Sequence, residues 1–250
     1  MCTAATSQEI NPKEAPPDPA LVLKEKLPEN IAALRQRIPE MMKQADVPGL
    51  EIAFIQNGEI IWIESFGSKQ LGSPQPVTLN TIFEAGSLSK PVFAYAILKL
   101  VKQGVLELDK PLTHYMPADY IADKRINQVT ARMVLSHTSG LPLWWPQNEA
   151  LQIYFKPGKR FSYSSEAYVY LQNIVEQITQ KPFTELMNKL VFQPLQMTRS
   201  SFVWKTLLKI MWRWGTICLP CRSSPGNEPC PTPPPASIPP PQITQNLFWP

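Results

Sequence analysis

Asn57-Gly58 stands between two apolar runs, residues 50–56 and 59–67. The dipeptide suits a two-residue turn in which both positions need positive φ, so it predicts a β-hairpin of defined register. A lone hairpin is marginal in water, and further strands and a covering helix have to come from elsewhere. One helix lies directly upstream. Ile31, Leu34, Ile38, Met41 and Met42 recur at helical spacing between residues 30 and 45, with Pro39 as the irregularity. Helix plus hairpin is half of a helix-packed antiparallel sheet, and the fold class that follows is α+β.

The next stretch, Glu84-Ala85-Gly86-Ser87-Leu88-Ser89-Lys90-Pro91, sets a serine and a lysine three positions apart. On a helix these positions share a face, one turn apart. Gly86 and Pro91 bracket a helix start, since proline is tolerated where its missing N–H has no partner anyway. Val92, Phe93, Ala94, Ile97, Leu98, Leu100 and Val101 supply an apolar face, and Gly104 closes the helix. A serine hydroxyl is a poor nucleophile until a neighbour takes its proton. A lysine set among apolar side chains can be that neighbour, or can hold a second base in the right state. The spacing alone is weak, because about one Ser-x-x-Lys arises by chance in a chain of this content. A solvated lysine one turn into a helix is the plain alternative.

Composition narrows the partners. With 250 residues and a net charge of +4, the chain has room for one large domain or two intertwined subdomains. It shows no basic cluster interleaved with aromatics, so no nucleic-acid partner is expected. Three of the four cysteines (Cys218, Cys221, Cys230) lie in the last fifth of the chain. Only Cys2 remains, which implies neither a disulfide framework nor a metal site, and no cofactor is expected. Residues 1–28 are polar and proline-bearing, a disordered leader without an apolar run long enough for a signal peptide or membrane span. Cys2 before small polar residues is similar to the mature start of a bacterial lipoprotein, which suggests a membrane anchor through Cys2 if a leader is missing and a periplasmic or otherwise extracytoplasmic location. An ordinary exposed cysteine fits equally.

Downstream, residues 104–117 read as a turn and a short amphipathic segment, and residues 130–136 as a short helix closed by His137-Thr138-Ser139-Gly140-Leu141-Pro142. A histidine in such a turn is expected to hydrogen-bond its own loop rather than carry chemistry, and His114 has no supporting context. Trp144-Trp145 reads as a packed or cleft-lining loop. Lys156-Pro157-Gly158-Lys159 is a turn leading through Phe161-Ser162-Tyr163-Ser164-Ser165 into a helix over 167–179, with Val169, Leu171, Ile174, Val175 and Ile178 on one face. By itself Tyr163 reads as a core tyrosine. A second helix is expected over 183–191.

Together these pieces resemble the serine beta-lactamase and penicillin-binding-protein superfamily, in its class C, beta-lactamase-related branch. The resemblance covers about residues 30–203. It rests on the helix-hairpin opening, on Phe83-Glu84-Ala85-Gly86-Ser87-Leu88-Ser89-Lys90 and on Gly104-Val105-Leu106-Glu107-Leu108-Asp109-Lys110-Pro111. It rests also on Leu135 to Pro142, on Phe155 to Ser165, and on Phe192-Gln193-Pro194-Leu195-Gln196-Met197. Six modest pieces in the right order are specific where each alone is not.

The resemblance implies a beta-lactamase/transpeptidase-like fold: an antiparallel sheet with packed helices, plus a helical subdomain at about 104–200 within a domain spanning 29–204. It implies that Ser87 attacks a carbonyl carbon to give an acyl-enzyme, that Lys90 relays or accepts the proton, and that Tyr163 acts with it as general base. A cationic lysine favours the phenolate, bringing the phenol down from about 10. The oxyanion would sit on the Ser87 N–H and a second N–H from a strand edge. The partner implied is a small-molecule or peptide substrate, taken by a monomer. Two departures follow. Ser165, assigned to substrate binding, stands where the family has asparagine, which favours an ester or small amide over a beta-lactam or peptide amide. The third motif, a Lys/His-Thr/Ser-Gly strand, is missing, because Lys205-Thr206 is followed by Leu207.

From Lys205 prolines crowd and Glu228 is the one acidic residue. Residues 205–250 therefore read as a disordered Pro-rich tail. Back-translating 209–249 and shifting the frame by two bases permits a capped helical ending like the one this family carries at that place. The expectation is a frameshift near residues 204–208, a sheet left incomplete, and a fragment with impaired turnover. A non-catalytic binding protein retaining the scaffold is the alternative.

Overall fold

The computed structural model describes residues 21–23, 27–118, 120–145, 150–203 and 248–249. They fall into two compact units divided between Phe83 and Glu84.

In the first unit, helix α1 (Glu29–Gln44) runs through Pro39 without a break, giving up the bond that residue's N–H would make. Its inward stripe, Ile31 and Ile38 with Leu34 and Met42 partly covered, packs on Trp62, Leu50, Ile52, Phe54 and Phe66. Strands β2 (Gly49–Gln56) and β3 (Glu59–Gly67) form the hairpin, paired from Gly49↔Gly67 to Gln56↔Glu59 with an irregularity at Phe54/Ile55. Asn57 (φ 52°) and Gly58 (φ 81°) both take the positive φ that the turn demands. A third strand, β1 (Leu21–Leu23), pairs antiparallel with β3, so the sheet order is β1-β3-β2. This corrects the leader boundary: Leu21, Val22 and Leu23 belong to the sheet. Their pairing partners Glu64, Ile63 and Trp62 are some forty residues away, a relation that local composition does not carry.

Trp62 and Glu64 lie on the same side of β3, two residues apart. The Glu64 carboxylate accepts bonds from Trp62 Nε1 (2.8 Å), Arg35 Nη2 (2.8 Å) and Arg35 Nε. Burial works against this carboxylate's charge, and the Arg35 and Trp62 bonds outweigh it, holding Glu64 below the usual carboxylate range.

The second unit carries most of the buried apolar side chains. A 3₁₀ turn (Gly86–Leu88) leads into α2 (Ser89–Lys102), and Gly104 (φ 72°) ends it with Val105 N–H on Leu100 O and Gly104 N–H on Val101 O. Phe93, Ala96, Ile97 and Leu100 form the buried stripe of α2, whereas Leu98 is exposed. The expected face was too wide, because positions 94 and 98 lie about a third of a turn off the 93-97-100 line. The α2 stripe shares one core with Ala131 and Val134 of α3 (Ala131–Leu135) and with Leu171, Ile174 and Val175 of α4 (Glu166–Thr179). α2 thus packs in the same core as the helices that follow residue 104. Thr130 caps α3 by accepting the Met133 N–H.

The helix expected over 183–191 splits into α5 (Phe183–Met187) and a π-turn (Asn188–Phe192), closed by Gln193 N–H on Asn188 O. Lys99 Nζ from α2 donates to Leu190 O at 2.9 Å, satisfying a carbonyl within the loosened turn. Strand β4 (Phe83–Glu84) pairs with β5 (Phe248–Trp249) in a separate two-stranded ladder. Apart from the backbone of β5, the Pro-rich tail and its frameshift reading lie outside the described residues, as does Cys2.

Candidate active site

Gly86 takes φ 51°, which lets the chain turn sharply from β4 into the 3₁₀ turn. The turn places Ser87 two residues before α2, facing solvent, and Lys90 in the first turn of α2, only 6% exposed. The separation of one helical turn predicted for the pair holds: Lys90 Nζ donates to Ser87 Oγ at 3.2 Å. Tyr163 arrives from the segment before α4. Lys90 Nζ lies 5.0 Å from the centre of its ring and 5.7 Å from that of Tyr168. Ser87, Lys90 and Tyr163 thus meet at one point of the second unit. Tyr163 is 38% exposed, so the reading of it as a core tyrosine gives way to one at the rim.

The electrostatics favour an ionisable phenol. Burial pushes Tyr163 up, but its interactions with Ser87 and Lys90 and the lysine's charge outweigh this and bring it below its ordinary value. Tyr168, more deeply covered, goes the other way to about 12. Two neighbouring tyrosines are therefore driven apart by burial and by partners. A cavity of about 20 Å³ behind Lys90, lined by Ser89, Phe93, Tyr168, Phe183 and Phe202, has room for about one water.

The loop that sequence reading set aside does more than expected. His137 holds its own loop through its N–H on Val134 O, but its ring stacks on Tyr163 with centres 4.4 Å apart, and its Nδ1 accepts the Ser164 N–H at 3.1 Å. Its φ of 55° is positive, which is uncommon for a residue other than glycine. Only the Gly140 turn beside it hinted at so tight a backbone.

Ser164 also does work not read from the sequence. Its Oγ donates to Pro142 O (2.7 Å) and accepts the Ala167 N–H (2.9 Å), capping α4 and tying it to the 141–145 loop. Ser165, assigned to the substrate, is 1% exposed, with its N–H on Leu143 O. Trp145 stacks on Tyr120, while Trp144 is exposed. Among the described residues no cluster of three His, Cys, Asp or Glu side chains could hold a metal ion, and no helix is long and apolar enough to cross a membrane.

Residues 34–206 match the Beta-lactamase family model, and the chain belongs to that family. It is 28% identical over 166 residues to penicillin-binding protein 4* of Bacillus subtilis, covering 58% of this chain and 36% of that protein. It is 29% identical over 170 residues to a beta-lactamase of Pseudomonas fluorescens, covering 63% and 47%. Among solved structures, the octameric penicillin-binding protein homologue from Pyrococcus abyssi is similar at 30% identity and a TM-score of 0.62, over 72% of this chain and 46% of that one. The α+β fold is thus beta-lactamase/transpeptidase-like, and the chain spans less than half the length of each of these relatives.

Proposed function

We propose that the chain is a serine hydrolase working through an acyl-enzyme. Ser87 Oγ attacks a carbonyl carbon of an ester, amide or beta-lactam. The new O–C bond forms as the hydroxyl proton passes to the Tyr163 phenolate, and the leaving group departs with a proton returned by Tyr163. Water, losing a proton to the regenerated Tyr163 phenolate, attacks the acyl carbon; the bond to Ser87 Oγ breaks and Tyr163 returns the proton to it, freeing the acid. Lys90 as an ammonium can donate to Ser87 Oγ but cannot accept its proton, so its part is to hold the hydroxyl and keep Tyr163 ionisable. The observation that carries this reading is the 3.2 Å Lys90–Ser87 contact with the same amine 5.0 Å from the Tyr163 ring.

The oxyanion falls to the Ser87 N–H and one further donor. Leu207 follows Lys205-Thr206 where the resemblance expects glycine, so the third motif is not read in this sequence, and a site short of one oxyanion donor would be slower by about 10²–10³-fold. Slow turnover of an acyl-enzyme that still forms is the expected behaviour. The departure at Leu207 also favours a second reading, a scaffold that grips a small molecule or peptide without turnover. An extracytoplasmic monomer, anchored or not through Cys2, belongs to the same proposal.

Treatment of the purified chain with a fluorophosphonate or fluorescent penicillin, followed by peptide mass spectrometry, separates the readings. A single adduct on Ser87, lost in Ser87→Ala, is expected. A folded chain that binds a penicillin reversibly without an adduct would leave only the scaffold.

A further inference from the structure

We infer that His137 is a positioning residue for Tyr163, holding it in register only while its own ring is neutral. This rests on Tyr163 acting as the base. One residue grips the tyrosine from three directions. The His137 carbonyl accepts the Ser162 N–H at 2.8 Å, its Nδ1 accepts the Ser164 N–H at 3.1 Å, and its ring lies against the Tyr163 ring at 4.4 Å and 25°. Both amides flanking the tyrosine are therefore fixed by the same histidine. The left-handed backbone at 137 allows carbonyl and ring to act on one segment at once.

An Nδ1 that accepts a hydrogen bond carries no proton, so the ring is neutral with its proton on Nε2. The groups facing it are Phe161 (5.8 Å between ring centres), Tyr163, Tyr168 of α4 (5.2 Å) and the Lys90 ammonium of α2. Burial first, and then the lysine's charge, disfavour a cation on the ring and move His137 below the usual histidine range. Protonation at Nδ1 would replace the acceptor with a donor aimed at another donor, the Ser164 N–H. That bond breaks, and with it the hold on one side of Tyr163.

Two ionisations then govern acylation on the acid side, the phenol's and the imidazole's. As pH falls, the rate constant for Ser87 acylation should drop tenfold per pH unit below the phenol's pKa. It should steepen to a hundredfold per unit below that of His137. Asparagine tolerates the left-handed backbone and offers an amide oxygen near the place of Nδ1, yet does not titrate. His137→Asn should label within about threefold of wild type at pH 8 and show only the shallow limb. His137→Ala should lose tenfold or more at pH 8.

The chain has two histidines, so His114→Gln leaves His137 as the one imidazole for nitrogen NMR on the full chain. The expected result is an Nε2–H tautomer at pH 8, with the Ser164 amide proton shifting as His137 titrates. A protonated Nδ1 at pH 8, or a Ser164 amide indifferent to the titration, overturns the inference. So does a His137→Ala variant that labels at the wild-type rate with the wild-type profile. If the wild-type chain forms no adduct at any pH, the acyl-enzyme reading fails by itself, and the NMR result still decides whether His137 holds Tyr163.

Discussion

Replacing Lys90 by methionine tests the electrostatic heart of the site. Methionine matches the apolar stem of the buried lysine, so the change removes a cation with little loss of packing. The amine lies 5.0 Å from the centre of the Tyr163 ring. At that range a unit charge is worth about 3 kcal/mol at an effective dielectric near 20 and about 0.8 kcal/mol in bulk water. Tyr163 is 38% exposed, which places the interaction toward the lower end, at about 1–1.5 kcal/mol or on the order of one pKa unit. Burial already pushes this phenol up, and its lowered state depends on Ser87 and Lys90. Its titration should therefore move upward by about that amount in Lys90→Met. Carbon-13 at the phenol carbon of labelled tyrosines follows this directly, with Tyr163→Phe giving the assignment. Acylation at pH 7 should fall by about tenfold through the smaller phenolate fraction alone, and further because the amine no longer holds the Ser87 hydroxyl. A Tyr163 titration that stays within about 0.2 units of wild type in a folded Lys90→Met chain would refute the coupling, whatever happened to activity.

Two further substitutions probe the scaffold. Arg35→Met leaves Glu64 with Trp62 as its remaining side-chain donor and should destabilise the first unit by about 1–3 kcal/mol, less than a fully buried pair because the arginine head is 39% exposed. Glu64 is held below the usual range when folded, so its contribution is complete above the unfolded carboxylate's pKa and is lost as pH falls through the folded one. Urea melts should accordingly show the gap between variant and wild type shrinking from pH 7 toward pH 3. Gly140→Ala places a Cβ 2.7 Å from Phe155 O at φ 81°; a loss on the order of 3 kcal/mol is expected from thermal melts, together with weaker protection of the Tyr154 amide that bonds Gly140 O.

What could be read from the sequence was what neighbours in the chain decide. Asn57-Gly58 dictated its turn, the spacing from Ile31 to Met42 dictated α1, and Ser87 and Lys90 met because three residues make a helical turn. Relations across long separations were not legible by the same means. Leu21–Leu23 sits in a polar stretch and becomes a strand only because β3 offers it an edge. Position 98 is as apolar as position 97, and only the packing of α4 and its neighbours shows which of them faces inward. The grip of His137 on Tyr163 joins residues twenty-six positions apart through a positive φ that histidine rarely adopts, so local propensity argued against it. Ser165 was singled out by its place in a motif, while its neighbour Ser164 does the capping.

The 3₁₀ turn before α2 separates reach from reactivity. Ser87 faces solvent while the amine that tunes it is nearly covered. Amine-seeking reagents, such as formaldehyde with a borohydride, should decorate exposed lysines including Lys43, Lys124 and Lys159 and pass over Lys90. Phosphonates directed at hydroxyls meet the opposite situation. The chain therefore offers two sets of chemical handles that need not interfere, and a fluorophore placed on its surface amines can report on what binds at Ser87 without altering the group that makes the serine react.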